Sequence, residues 1–131
     1  RFAEELQINP DMTLALFHLG KIKLNRDQVS EAILLLEKAI EVTPDFRPAL
    51  EALGRALLKQ GDAARAVEVL ERAVKLDPEW PDGHVLLGRA YLAVGQSDRA
   101  RKEFATAQRL SSEQRKRFED KVTGSKQRPK P

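Results

Sequence analysis

The chain has 131 residues, of which 41% are hydrophobic and 33% are charged, with a net charge of +3 and no cysteine. This composition is sufficient for one domain with a core, and it excludes disulfides, thiolate metal ligands and cysteine nucleophiles. No run of about 18 apolar residues is present, which excludes a membrane-spanning helix.

Positive charge is concentrated at the carboxyl end of the chain. Residues 1–112 have a net charge of −1, whereas residues 113–131 have a net charge of +4. A basic end can contact nucleic acid or anionic lipid, but blocks of like charge are more often solvated segments. Since residues 123–131 contain two prolines and no apolar period, we predict a disordered basic tail there.

Apolar residues recur with helical spacing along most of the chain. For example, Leu50, Leu53 and Leu57 fall on one face of a helix with 3.6 residues per turn. The predicted helices, in chain order, are residues 1–8, 13–25, 28–42, 47–59, 62–76, 81–94, 96–109 and 112–122.

A period of 34 residues groups these helices into repeats. It separates Pro10, Pro44 and Pro78, and it separates several other sets: Leu19-Gly20, Leu53-Gly54 and Leu87-Gly88; Ala32, Ala66 and Ala100; and Ala39, Ala73 and Ala107. Residues 13–46, 47–80 and 81–114 are therefore three repeats. Residues 1–12, with Phe2 near the start and Pro10 at the end, are predicted to be half of a preceding repeat, so we expect the chain to be a fragment of a longer protein.

This pattern resembles the tetratricopeptide repeat (TPR) family, whose unit is a pair of antiparallel helices. The resemblance implies an all-α, right-handed superhelical solenoid of about three helix pairs, with the half repeat before it. Ser112 stands where the earlier repeats have proline, so we expect the last repeat to end there. Residues 112–122, with only Phe118 and Val122 as apolar residues, are predicted to be a separate C-terminal capping helix.

Glycines occupy two kinds of position in the repeats. Gly54 precedes Ala66 by 12 residues, as in the other two repeats, which predicts that these small residues face each other where two helices approach closely. Gly61 and Gly95 follow the first helices of their repeats, where a left-handed residue ends a helix. Asp27 has that position in the first repeat, which is therefore expected to be looser.

The sequence contains no recognisable catalytic constellation. His18 and His84 occupy different positions in different repeats, and neither is spaced with carboxylates as in a metal site or a catalytic triad. Phosphate-binding loops and nucleophile elbows are also missing. We therefore interpret both histidines as ordinary helix-face residues and predict no enzymatic activity, no metal and no cofactor, while an enzyme domain before Arg1 stays open.

In the TPR family the concave surface formed by the first helices commonly receives a peptide, and the resemblance implies the same here. Helical spacing places residues of the three repeats at equivalent positions along this predicted groove: Phe17, Lys21, Leu24, Glu51, Arg55, Leu58, Lys59, Val85, Arg89 and Leu92. We call Lys21, Arg55 and Arg89 the basic row, and Leu24, Leu58 and Leu92 the apolar row. Together they are suited to an acidic amphipathic peptide.

A second interpretation of the two rows stays open, since long side chains can also cover the seam between repeats. The family's chaperone-tail binders hold a terminal carboxylate with Lys, Asn and Arg side chains. At the matching positions this sequence has Phe17, Lys21, Ala52, Asp82 and Leu86, which argues against that mode of binding.

Met12, Phe46 and Trp80 each stand directly before a first helix. Bulky residues at one position of every repeat can form a binding surface, but their place at the repeat junction favours packing between repeats.

Two other functions remain as alternatives to a peptide-binding scaffold. The predicted helix 1–8 lacks a partner helix, so a face with Phe2, Leu6 and Ile8 can form a homodimer. The chain can also be an appendage of a larger enzyme or regulator. Nucleic-acid binding is not favoured, because the basic tail lacks aromatic residues and an ordered basic stripe.

Overall fold

The computed structural model describes residues 10–124, and this part of the chain is built from helices with no strand. Six helices follow one another: α1 Pro10–Asn25, α2 Val29–Val42, α3 Arg47–Gln60, α4 Ala63–Leu76, α5 Pro81–Ala93 and α6 Ser97–Thr123. The prediction of an all-α solenoid with three helix pairs is confirmed. The predicted helix 1–8 and residues 125–131 of the predicted tail lie outside the described residues.

The helices stack in the order of the sequence. α1 packs on α2, α3 on α4 and α5 on α6, while α2 also contacts α3 and α4 contacts α5. The backbones of the first helices of successive repeats approach one another, α1 with α3 and α3 with α5, whereas within residues 10–124 the backbones of the second helices come less close. The first helices are therefore closer together and line the inner side of the stack.

One continuous hydrophobic core runs through all three repeats. Its fully buried members include Leu36 of α2, Leu50 and Leu57 of α3, and Leu70 of α4. Ala32, Ala66 and Ala100, which share one position of the repeat, are also fully buried. Small residues at that position allow the second helix of each repeat to lie close to its neighbours.

The glycines of the Leu-Gly pairs lie closest to large side chains, and the predicted alanine is a further neighbour at Gly20, where a Cβ atom would lie 3.6 Å from the Ala32 carbonyl oxygen. A Cβ atom at Gly20 would lie 2.9 Å from Leu36, and one at Gly88 would lie 2.6 Å from Phe104. A Cβ atom at Gly54 would likewise overlap the side chain of Leu70. The close approach predicted from glycine is real, and the nearest side chain belongs to a bulky residue 16 positions later, because one helix inserts a ridge into the other's groove.

The turns after the first helices are left-handed, as the glycine positions predicted. Gly61 has φ +92° and Gly95 has φ +85°. Asp27 adopts φ +64° at the same position of the first repeat. Aspartate adopts this conformation more readily than most non-glycine residues, so Asp27 can take the place of glycine in the first repeat.

Two helix boundaries differ from the prediction. α1 already includes Pro10, the first described residue, whereas the sequence predicted a helix from residue 13. α6 continues through Ser112 to Thr123, so the predicted break before a separate capping helix is wrong. Serine leaves the backbone N–H in place, whereas the prolines of the earlier repeats remove it and end the helix.

Candidate functional site

A cavity of about 280 Å³ lies on the inner side of the stack, between α1 and α3 and next to the start of α5. We call it the inner cavity, and it is lined by Phe17, Lys21, Pro48, Glu51, Ala52, Arg55 and Trp80. Residues from the first two repeats meet here, because the first helices of the solenoid lie side by side. A partner bound in it would therefore contact two repeats at once.

Two cationic side chains and two aromatic rings give the inner cavity its chemical character. Lys21 and Arg55 are exposed, and the Lys21 ammonium lies 5.4 Å from the centre of the Phe17 ring. Phe17 is itself buried and packs edge-on against Phe46, with ring centres 5.3 Å apart. The apolar wall is thus fixed by the core, while the positive charges remain accessible to a ligand.

Arg47 lies beside the inner cavity and contacts two of its lining residues, Glu51 and Trp80. Its Nη1 donates to Oε2 of Glu51 at 2.8 Å, and its Nε lies 3.7 Å from Oδ2 of Asp77. The same guanidinium group stacks 3.7 Å from the centre of the Trp80 ring. Arg47 therefore holds Glu51, the end of α4 and the residue before α5 in one arrangement.

Glu51 is a buried carboxyl group beside these cations, with only 4% of its surface exposed. Burial raises the pKa of Glu51 to about 7, against the lowering effect of Arg47 and Arg55, and Asp82 and Asp77 raise it further. Because the ionised form is poorly solvated there, the charge of the inner cavity changes near neutral pH.

The local sequence explains why these side chains meet. Arg47, Glu51 and Arg55 follow one another at intervals of four residues, which places them along one face of α3. Pro48 and Pro81 lie in the first turns of α3 and α5 and fix where those helices begin. Trp80 is the residue directly before α5, so it is directed to the same junction.

Four residues of the predicted groove line the inner cavity, namely Phe17, Lys21, Glu51 and Arg55. The other six are elsewhere. Arg89 and Val85 are exposed on α5, and the Lys59 ammonium lies 3.5 Å from Asp27 Oδ1, at the turn of the first repeat.

The apolar row does not form one exposed surface. Leu24 is buried in the core, Leu58 is half-buried and Leu92 is 52% exposed. Each first helix is covered by the repeat that follows it, so equivalent leucines differ in exposure along the stack. The predicted role of Leu24 as an accessible contact is therefore wrong.

Trp80, Pro48 and Ala52 line the cavity but were not predicted as groove residues. Trp80 was interpreted as a junction residue, and it is one, since it packs under Arg47. Phe46 also packs at the junction, against Phe17. The recurrence of bulky residues before each first helix was the signal for Trp80, but sequence spacing alone does not show that this residue borders an open cavity.

The two histidines have structural surroundings. His84 is buried, with Nδ1 2.7 Å from Glu103 Oε1 and Nε2 2.6 Å from the Pro78 carbonyl oxygen, so it ties α5 to α6 and to the preceding turn. His18 is exposed, and its ring packs at an angle against that of Phe17. Among residues 10–124, no group of three or more His, Cys, Asp or Glu side chains is arranged to hold a metal ion. None of the described helices combines the length and hydropathy needed to cross a bilayer.

Several solved structures share this fold. The crystal structure of MamA superposes with a TM-score of 0.74 at 26% sequence identity, over 79% of this chain and 61% of MamA, so the chain spans about three-fifths of that protein. An O-GlcNAc transferase mutant from Thermobaculum terrenum gives a TM-score of 0.74 at 26% identity, over 79% of this chain and 20% of the transferase.

A third structure, the first TPR of Spaghetti (RPAP3) bound to the HSP90 peptide SRMEEVD, superposes with a TM-score of 0.77. The identity is 19%, over 79% of this chain and 82% of that one, which is a likeness of fold alone.

Sequence comparison gives the family directly. No curated protein sequence matches the chain. A tetratricopeptide repeat family model matches residues 17–84, more than half of the chain, and a second tetratricopeptide repeat model matches residues 57–114. Together with the three stacked helix pairs, these matches show that the chain belongs to the tetratricopeptide repeat family.

Proposed function

We propose that the chain is a non-catalytic protein-interaction scaffold that binds an acidic segment of a partner protein on its inner side. The observation that supports this most directly is the inner cavity, where the exposed cations Lys21 and Arg55 lie beside the Phe17 and Trp80 rings. Cavities that combine aromatic walls with a few polar groups are typical binding sites. The solenoid fold supports the same function, because stacked repeats present an extended surface to a partner.

Charge and apolar contact have different parts in the proposed complex. Lys21 and Arg55 attract carboxylates of the partner, and this attraction weakens as salt screens it. Phe17 and Trp80 contact the apolar parts of the same segment, and this contribution is insensitive to salt. Of the apolar row, Leu92 and Leu58 retain accessible surface for a longer segment, whereas Leu24 has none to offer.

The site differs from one that captures a chain's terminal carboxylate through several converging donors. Of the positions that hold the donors in such a site, only Lys21 has a cationic side chain here. The other positions hold Phe17, Ala52, Asp82 and Leu86, and Leu86 is buried. A single terminal carboxylate would meet too few donors for multidentate binding. We therefore assign the site to side-chain carboxylates within a segment.

Charge reversal at two positions tests this function. Lys21→Glu and Arg55→Glu place a negative charge at the inner cavity, whereas Lys38→Glu places one on an exposed part of α2 outside that cavity. Each protein is used to capture partners from its source organism at two salt concentrations, with circular dichroism to show that all variants are folded. We expect the two cavity variants to lose partners that the wild type and Lys38→Glu retain, and we expect high salt to reduce capture by the wild type. Equal capture by all four proteins would exclude the inner cavity as the binding site.

Self-association is the second candidate function, and exposed apolar residues of α1 favour it. Leu14, Leu19 and Ile22 are 43%, 44% and 46% exposed. Large exposed apolar side chains on one helix are typical of an interface. Residues Phe2, Leu6 and Ile8, which the sequence suggested for this role, lie outside the described residues. Sedimentation equilibrium of wild type and Ile22→Asp tests it, since a dimer that persists in the variant would exclude this surface.

A further inference from the structure

Glu51 is an unusual residue for the wall of a site that attracts acidic ligands. Its carboxyl group lines the inner cavity together with Lys21 and Arg55. Oε2 accepts from Arg47, and a Cβ atom placed on Gly83 would lie 3.5 Å from that oxygen, so the first turn of α5 packs against the carboxyl group. A negative charge held there would oppose the entry of a second carboxylate.

Charged groups of four helices face Glu51. α1 contributes Lys21, and α3 contributes Arg47 and Arg55; the end of α4 contributes Asp77, and α5 contributes Asp82. When Glu51 is neutral, Arg47 still has Asp77 as an ionic partner. The positive charges of Lys21 and Arg55 are then not offset by Glu51 and can attract an anion. Ionised Glu51 instead competes with the ligand for the same cations.

We propose that the inner cavity binds a side-chain carboxylate of the partner segment together with one proton, which Glu51 takes up from solvent. The neutral carboxyl group of Glu51 then donates a hydrogen bond to the ligand carboxylate, and the two acidic groups share one proton between Lys21 and Arg55. This inference rests on the proposed function, since it assigns the chemistry and the regulation of the same cavity. The scaffold is thereby a pH-dependent one, with tighter binding at lower pH.

The direction of the pH dependence follows from the linkage between proton binding and ligand binding. The pKa of Glu51 is raised to about 7 in the free protein, and a bound anion beside it disfavours the ionised form further. Binding therefore takes up protons at and above neutral pH, and affinity falls as pH rises. For one coupled group, the expected loss of affinity between pH 6 and pH 8 is roughly fivefold.

A defined peptide provides the test. The probe is acetyl-Leu-Asp-Asp-Leu-Asp-Asp-Leu-amide, whose aspartates stay ionised across this range because their ordinary pKa is about 3.9. The same peptide with Asn in place of Asp is the uncharged control. Binding is followed at pH 6 and pH 8 by the fluorescence of Trp80, which is the only tryptophan of the chain and lines the cavity.

Two variants separate Glu51 from the other carboxylates. Glu51→Gln fixes the neutral form of the cavity residue, and Glu41→Gln removes an exposed carboxylate on α2. We expect wild type and Glu41→Gln to bind the Asp peptide about fivefold more tightly at pH 6 than at pH 8. Glu51→Gln should bind with similar affinity at both pH values and more tightly than wild type at pH 8. The Asn peptide should bind weakly and without pH dependence.

Each other outcome overturns the inference. A wild-type affinity equal at pH 6 and pH 8, or a pH dependence that survives in Glu51→Gln, would exclude proton uptake by Glu51. Failure of the Asp peptide to bind at either pH would exclude a carboxylate site in the cavity. The proposed scaffold function is judged separately, by whether Arg55→Glu loses partners that Lys38→Glu retains.

Discussion

Arg47 connects three parts of the molecule through one guanidinium group. It bonds Glu51 on its own helix, approaches Asp77 at the end of α4 and stacks on Trp80 before α5. A guanidinium group can stack on an aromatic ring while its nitrogens face two carboxylates, whereas lysine has neither the planar group nor the fork of donors. The shape of the inner cavity therefore depends on a residue that lies beside it.

The raised pKa of Glu51 predicts a pH-dependent stability. Its ordinary value is 4.5 and its value in the folded chain is about 7, so the folded state holds a proton that the unfolded chain has lost between these values. The contribution of Glu51 to the free energy of unfolding is largest below pH 4.5 and is lost as pH rises through 7. Glu51→Gln should therefore raise the free energy of unfolding by about 1–3 kcal/mol at pH 8 and change it little at pH 4.5.

Urea unfolding of both proteins at the two pH values measures this difference. Glu41→Gln is again the control, since its carboxylate is exposed. A Glu51→Gln variant less stable than wild type at pH 8 would show that the ion pair with Arg47 outweighs the cost of burying the charge.

The absence of a side chain at Gly54 determines how closely α3 and α4 approach each other. A Cβ atom there would overlap the side chain of Leu70, which is fully buried. Gly54→Ala should therefore cost about 1–3 kcal/mol of stability by overpacking. Leu70→Ala removes the overlapping side chain, so the double variant should be more stable than the sum of the two single effects predicts. Additive effects in thermal or urea unfolding would contradict the contact.

At the scale of elements, α6 differs from the five helices before it. It has 27 residues, and its buried residues are Ala100, Ala107 and Leu110, all in its first half. From residue 111 to residue 122 every residue is exposed, and the side chain of Gln114 reaches back to the carbonyl oxygen of Glu79 at 2.9 Å. The second half is helical because its residues favour helix and no proline interrupts it, not because it covers a core.

Substitutions in the two halves of α6 should therefore differ in effect. Phe118 is 66% exposed, so Phe118→Ala should change the free energy of unfolding by less than about 0.5 kcal/mol. Leu110 is 4% exposed, and Leu110→Ala should cost about 2–4 kcal/mol. Both are measured by urea unfolding. A large effect of Phe118→Ala would show that residues 112–122 cap the core in solution.

At the scale of the whole molecule, the continuous core joins the repeats into one unit. Buried residues from Phe17 in α1 to Ala100 in α6 belong to a single cluster. In a solenoid, the stability of each repeat depends on contacts with its neighbours, so strongly coupled repeats unfold together.

We expect one cooperative unfolding transition in urea. Trp80 fluorescence reports on the junction before α5, and circular dichroism at 222 nm reports on all helices. The two curves should coincide, and Glu51→Gln should shift both by the same amount. Separate midpoints for the two signals would show that one repeat unfolds before the others.

The sequence by itself determined the helix pairs, their period and the residues that end the first helices. These features depend on neighbours along the chain: apolar spacing, left-handed residues such as Gly61, and prolines such as Pro44 are local. The basic residues Lys21 and Arg55 could also be placed on the inner side, because every repeat presents the same face of its first helix inward.

Only the tertiary structure decided how exposed each of those positions is. Leu24 and Leu92 are equivalent in sequence, yet the first is buried by the next repeat and the second is 52% exposed. The raised pKa of Glu51 and the stacking of Arg47 on Trp80 likewise depend on residues that are far apart in the sequence. The burial and the charge state of a residue depend on all the residues around it in space. The period of the sequence does not show which residues those are.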